Sequence, residues 1–215
     1  MTAAPAVGLP HTEIEPGEHL CALYQGYEGR DEVLIPYLRE GLAQGHKCLS
    51  AISQTDSTAL ESALQNGSDT AALLDSGQLE IHTAREPVID PQEFGTTEVI
   101  AFWESHVVNA LDAGFPFVRL SAEARWWMPQ LPEIDDLVRH ESELNRYAAK
   151  HAQSILCLYD LSHYGGRVLM DLLLVHPQVV VCGVPFDNPN YLSPDEFLAY
   201  RETAAAEVEA EFGYY

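Results

Sequence analysis

LCLYDLSHYGGRVLMDLLLVHPQVVVCGVPFDNP, residues 156–189, reads as strand, helix and strand in direct succession. ILCLYD (155–160) is a short apolar run, the segment from Gly166 to His176 carries the helix, and Pro177 fixes a turn into VVVCG (179–183). The run near the start of the chain, HLCALY (19–24), echoes ILCLYD: both are short, apolar and reach a Tyr at their end. The echo is too short to be an internal repeat. It does place two strand ends at what, in an α/β fold, is the functional edge of the sheet.

Strands and helices alternate along the rest of the chain. A polar leader (1–17) precedes the first strand. Asp31 is positioned to N-cap a helix over 32–44, in which Val33, Leu34, Tyr37, Leu38 and Leu42 recur at helical spacing and which Gly45 stops. CLSAI (48–52) reads as a buried strand, and Thr55/Asp56 and Ser68/Asp69 as caps of two short helices. QLEIHT (78–83) and PFVRLSAE (116–123) are strands; 92–113 and 132–151 are amphipathic helices, the first ending at Gly114. A last helix follows the SPDE capping box from Ser193. Strands separated by helices predict an α/β fold: a three-layer, mainly parallel sheet covered by helices.

Composition excludes several function classes. The formal net charge is −22, and the lysines are Lys47 and Lys150 alone. Gripping a phosphate backbone requires Lys and Arg, so no direct nucleic acid binding is expected. No run approaches the ~20 apolar residues of a membrane span, and the first residues lack the basic and apolar regions of a signal peptide. A cytoplasmic, membrane-free protein is the expectation. The cysteines Cys21, Cys48, Cys157 and Cys182 form no CxxC pair, and Cys21, Cys157 and Cys182 have no Lys or Arg beside them in sequence, which predicts inert packing.

Motif chemistry points away from catalysis. A phosphate loop needs GxxxxGK[ST] after the first strand. QGYEGRDEV (25–33) keeps Gly26 and Gly29, but it has no Lys-Ser/Thr pair, and Glu28, Asp31 and Glu32 crowd the helix start and repel a triphosphate. No GxSxG elbow is present, and Asp160, Ser162 and His163 are too close in one loop for a triad. His140 and Glu141 begin HESEL without a second His at metalloprotease spacing, so no metal is expected; His19, His163 and His176 are read as packing or hydrogen-bonding groups. No cofactor is expected, and the chain is read as not an enzyme.

HLCALY, VLIPYLREGLAQGHKCLS (33–50), GQLEI (77–81), RLSAEARWW (119–127), HESELN (140–145), LCLYDLSHYGG (156–166), HP (176–177) and NPNY (188–191) together resemble the MEDS domain, the methanogen/methylotroph DcmR sensory domain. The resemblance spans about residues 17–191. It implies a RecA/KaiC-like core without a functional P-loop, with the first strand seated between the ILCLYD and VVVCG strands. It also implies a non-catalytic sensory domain over 18–192, preceded by a leader (1–17) read as flexible. The resemblance stops around Tyr191, and the C-terminal helix and tail (193–215), with Phe197, Leu198, Arg201, Ala205, Val208 and Phe212 at helical intervals, is expected to be the output element. The ligand that the resemblance implies would be a small, hydrocarbon-derived molecule, and the partner a kinase, an anti-sigma-type protein or a DNA-binding protein; a homodimer is open. In that strand order Tyr24, Glu123, Tyr159 and Asp160 converge on the carboxyl edge of the sheet, with Trp126 and Trp127 beside them, as the expected ligand site. The alternatives are a degenerate nucleotide-binding, ATPase-like enzyme and a pure protein-interaction module without ligand.

Overall fold

The fold is that of a computed structural model, which describes residues 14–54, 57–65, 69–83, 95–124, 134–181 and 183–212. The chain runs β1 (His19–Tyr24), α1 (Gly26–Ala43), β2 (Lys47–Ile52), α2 (Thr58–Gln65), α3 (Thr70–Asp75), β3 (Leu79–Thr83), α4 (Thr96–Asp112), β4 (Val118–Glu123), α5 (Ile134–Ala148), β5 (Gln153–Asp160), α6 (Gly166–Val175), β6 (Gln178–Val181), β7 (Val184–Asp187) and α7 (Pro194–Phe212). The strands form a seven-stranded sheet of order β3-β2-β4-β5-β1-β6-β7. Every pairing is parallel except β6 with β7. β1 thus lies between β5 and β6, the seat that a RecA/KaiC-like order assigns to it.

Both faces of the sheet are covered, which is why the central strands read as continuous apolar runs. Leu20, Ala22, Tyr24, Leu156 and Leu158 pack beneath Val33, Leu34, Tyr37 and Leu38 of α1 and Leu60 and Leu64 of α2. On the opposite face, Cys21, Leu120, Ile155, Cys157 and Tyr159 meet Trp103 and Val107 of α4, Leu137 and Leu144 of α5, and Leu172 of α6. The last helix begins as its capping box dictates: Ser193 N–H and Oγ–H both donate to Glu196 Oε2, at 2.8 and 2.6 Å. Its first turns sit on the outside of α5 and α6, where Phe197 is buried with Val138 and Val175. Among the described residues no helix is long and apolar enough to cross a membrane.

Two elements differ from the sequence reading. α1 starts at Gly26, so Asp31 lies inside the helix and caps nothing. Gly26 takes a φ of 67°, which turns the chain out of β1 within one residue, and its N–H donates to Asp160 Oδ2 at 3.3 Å. The final strand is also followed by another. Gly183 at φ 73° lets VVVCGVPF double back, and β7 pairs antiparallel at the sheet edge, where Pro185 is tolerated. Asp69 caps α3 as expected, accepting from Ala72 N–H at 3.2 Å. Thr55, Asp56, Ser68 and residues 1–13 of the leader lie outside the described residues.

Arg119 of β4 is buried and ties the sheet to α1. Its Nη1 donates to the Tyr37 carbonyl at 2.9 Å and to Glu40 Oε2 at 3.1 Å. Gly41 faces that guanidinium so closely that an added Cβ would meet Arg119 Cδ at 2.5 Å. Helix propensity favours Ala over Gly by about 1 kcal/mol, whereas overpacking a fixed core costs about 1–3 kcal/mol. Overpacking wins here, because Arg119 is held at several atoms and cannot swing away. Gly41→Ala should therefore destabilise the chain in urea titration; unchanged or raised stability would show that Arg119 relaxes freely.

Candidate functional site

The register sets Tyr24 beside Asp160 and Glu123 beside Leu158. Tyr24, Glu123 and Asp160 share the α1 face, as the sequence reading expected of them. Tyr159 does not join them: strand alternation turns it to the opposite face, where it is fully buried in the α4–α6 core. Trp126 and Trp127 lie outside the described residues.

The α1-face group is closed by charge pairing. Glu123 is buried, its Oε1 accepting from Arg30 Nη1 at 2.9 Å and its Oε2 from the Ser53 N–H at 2.5 Å. Arg30, fully buried, also donates to Gln54 Oε1 at 3.0 Å and to Asp31 Oδ1 at 2.8 and 2.6 Å. The Tyr24 hydroxyl is pushed up by burial and by the nearby Glu123 and Asp160, which keeps it neutral. Slight burial favours the neutral form of Asp160, but Ser162, His163 and the Gly26 N–H outweigh it and hold the carboxyl below its ordinary value. A carboxylate therefore occupies the start of α1, where a phosphate would have to sit. Arg30 was missed because nothing in QGYEGRDEV says that its side chain turns inward.

Breaking a buried pair from one side costs about 3–5 kcal/mol, since it strands the other charge. Glu123→Ala should approach the lower end of that range, because Asp31 still holds Arg30. The double variant with Arg30→Met should recover part of the loss. Additive losses in equilibrium unfolding would show that the two side chains are uncoupled.

The opposite face holds a denser polar group. His19 of β1, Glu141 of α5, Cys157 of β5 and His176 at the end of α6 are all buried, and one donor atom from each lies within 4.8 Å of every other. His19 Nε2 is 3.3 Å from Glu141 Oε2 and 3.2 Å from Cys157 Sγ. His176 Nε2 is 3.4 Å from the same carboxylate oxygen, and the Cys157 thiol donates to it at 3.2 Å. Burial, then the His176 charge, lowers His19. Burial opposes the charge on Glu141, but the two imidazoles outweigh it and hold the carboxyl well below its ordinary value. Burial and then Glu141 push the Cys157 thiol well up.

The sequence reading took these residues one by one, His19 and His176 as packing or hydrogen-bonding groups and Cys157 as inert packing; the fold brings them together in one polar group. The ligating atoms come from four separate elements, so no local spacing announces them. The legible trace is HESELN, in which Glu141 and Asn145 stand one helical turn apart. A second group, Glu80, His82 and His106, is half-buried at the sheet's far edge, and Lys47 Nζ already neutralises it at 2.8 Å from Glu80.

Next to the buried group lies a small cavity of about 20 Å³, room for roughly one water. Trp103, Leu120, Ala122 and Leu144 are among its apolar lining, and Ser121, His140, Glu141, Tyr147 and Cys157 add polar groups.

Comparison with known proteins agrees with this architecture. Residues 18–177 match the family model described as MEDS, MEthanogen/methylotroph, DcmR Sensory domain. A transcriptional repressor, DcmR of Methylorubrum extorquens, is 24% identical over 161 residues, covering 74% of this chain; the chain spans 58% of that relative's length. Among solved structures, the flagellar accessory protein FlaH from Methanocaldococcus jannaschii aligns with a TM-score of 0.55 at 15% identity, over 78% of this chain and 71% of its own. Protein PH0321 from Pyrococcus horikoshii, solved in complex with an unknown peptide, aligns at 0.56 and 11% identity, over 77% of each chain. At such identities the two structures speak for the RecA-like fold alone.

Proposed function

The chain belongs to the family of MEDS sensory domains, and from that premise we propose that it is a non-catalytic regulatory module. In this reading it admits a small, largely apolar molecule between α4, α5 and the sheet and reports occupancy to a protein partner. The observation that carries the reading is the cavity: apolar walls ending on a few converged polar groups are what a small organic ligand with one polar end requires. At about 20 Å³ as it stands, the cavity admits such a ligand only if α4 and α5 give way slightly. The α1 face is the weaker candidate. Glu123 is spent on Arg30, and Asp160 on the start of α1.

The route outward is α5. Glu141 and Leu144 reach the cavity, while Val138 on the same helix packs against Phe197 of α7. Two ion pairs reinforce that seam, Arg201 with Asp135 at 2.6 Å and Arg146 with Asp195 at 2.7 Å. Leu198 and Tyr200 of α7 remain exposed and offer a partner an apolar contact. The partner is a kinase, an anti-sigma-type protein or a DNA-binding protein, in the cytoplasm. A net charge of −22 assigns any contact with DNA to that partner rather than to this surface.

Thermal-shift measurements with short-chain alcohols, aldehydes, halomethanes and Mg²⁺–ATP test the proposal. A ligand at a hundredfold excess over its Kd adds about 2.7 kcal/mol, a rise in Tm of roughly 5–10 °C for a domain of this size. Stabilisation is expected from one organic class and not from ATP. Ala122→Leu, which fills the cavity, should abolish the response while leaving the fold intact by circular dichroism. Stabilisation by ATP with none from any organic would favour a degenerate nucleotide-binding protein and overturn the reading. Stabilisation by nothing would leave a pure interaction module.

A further inference from the structure

We propose that His19, Glu141, Cys157 and His176 form a closed binding site for one divalent transition metal of the Zn²⁺ class. The first argument is distance. Donors at the corners of a tetrahedron around a 2.0–2.1 Å bond to N or O lie about 3.3–3.4 Å apart, and somewhat further where sulfur takes part. Two separations from Glu141 Oε2 fall there, 3.3 Å to His19 Nε2 and 3.4 Å to His176 Nε2, while Cys157 Sγ at 3.2 Å stands a few tenths of an ångström inside it and would draw back on losing its proton. Two nitrogens, one carboxylate and one sulfur form a set that suits zinc.

The second argument is the orientation of the rings. His176 Nδ1 lies 2.7 Å from the Leu172 carbonyl, which can only accept, so Nδ1 carries the proton. His19 Nδ1 lies 3.1 Å from Asn145 Oδ1. The Asn145 amide is fixed in that sense because its Nδ2 donates to the Val175 carbonyl at 2.8 Å. His19 Nδ1 is therefore a donor as well. Metal-bound histidines are held in this way, with the far ring nitrogen giving its proton to a carbonyl oxygen.

The third argument is a shortage of positive charge. With both Nδ1 atoms protonated, either ring can meet the Glu141 carboxylate favourably only as an imidazolium, and burial opposes that charge on His19; a neutral ring points an Nε2 lone pair at the carboxylate instead. The Cys157 thiol brings one proton, which faces both Glu141 Oε2 and His19 Nε2, and the buried Tyr159 hydroxyl, also beside Glu141, brings a second. Nε2 of His176, fully buried, makes no aligned hydrogen bond. Neither proton reaches His176 Nε2, and a carboxylate faced by two imidazole lone pairs in a dry interior is costly unless a cation sits among them. A divalent ion supplies it: M²⁺ binds both Nε2 atoms, the carboxylate and the sulfur, and the thiol proton leaves to solvent. Because Glu141 and Cys157 also line the cavity, the ion would stand beside it. The site stands whether or not the cavity takes an organic ligand.

The test uses the full chain, stripped with chelator and titrated with Zn²⁺ and separately with Co²⁺. One equivalent should bind, with proton release and a rise in Tm. The Co²⁺ form should show the thiolate-to-cobalt charge-transfer band and the intense visible bands of a tetrahedral site. Cys157→Ser should remove the charge-transfer band while leaving the visible bands. Asn145→Leu, which touches no donor atom, should weaken the metal about 10–100-fold, as loss of an orienting partner does. If Cys157→Ser fails to fold, the charge-transfer band of the wild-type chain and its proton release still decide the matter. Binding well below one equivalent in the wild-type chain, or Co²⁺ spectra without a sulfur band, would overturn the site. The group would then be a carboxylate held by imidazolium charge.

Discussion

A carboxylate buried in a dry interior is the constraint around which the α4–α6 side of this protein is arranged. Glu141 is 1% exposed, and an ionised side chain there costs several kcal/mol unless its neighbours compensate it. The compensation comes from β1, β5 and the end of α6, each sending one side chain to the same oxygen. Asn145, one turn along α5, holds His19 in orientation and donates to the Val175 carbonyl at the end of α6. Moving any of these elements leaves the carboxylate underserved. A polar group of this kind specifies the docking of α5 more narrowly than apolar packing does.

The other face solves the same problem with arginine. Arg30 and Arg119 cross from helix to strand in opposite directions, one from α1 to Glu123 and one from β4 to the end of α1. They anchor α1 near both of its ends. The connection from β1 to the start of α1 is the single residue Gln25. Where a phosphate-binding fold opens a loop, this chain places Gly26 against Asp160. The phosphate cradle is therefore replaced in geometry as well as in chemistry: a carboxylate meets the backbone N–H at the helix start, where a P-loop would present such groups to a phosphate.

The sequence exposed what is periodic and hid what is convergent. Continuous runs such as ILCLYD could be placed because a parallel sheet covered on both faces needs them. The position of β1 between β5 and β6 followed from resemblance, since no local pattern encodes strand order. α1 was started too late because Asp31 has the side chain of a cap, while the residue that permits the turn is Gly26, with its positive φ. β7 escaped notice because Pro185 argues against a strand except at a sheet edge. Strand order alone brought Tyr24, Glu123, Tyr159 and Asp160 to one edge of the sheet, but it says nothing of faces, and Tyr159, next to Asp160, necessarily points away from the other three. The buried group was illegible for another reason. His19 and His176 are separated by most of the chain, and each alone reads as a core histidine until the fold brings them to a ring-centroid distance of 4.3 Å.

α5 is the element on which these separate facts meet. Its inner side carries Glu141, Leu144 and Asn145; its outer side carries Val138, Asp135 and Arg146, all engaged with α7. A close-packed interior transmits a displacement rather than absorbing it, so anything that shifts the inner side by a fraction of an ångström is felt at the seam with α7. The two sides differ in how firmly they are held. The inner contacts are buried and charge-assisted, whereas the Arg146–Asp195 pair joins side chains that are 42% and 85% exposed and contributes under about 1 kcal/mol. Rearrangement is therefore cheapest at the outer seam. In the reading proposed above, a signal that begins at the buried group would end as a change in how α7 is seated.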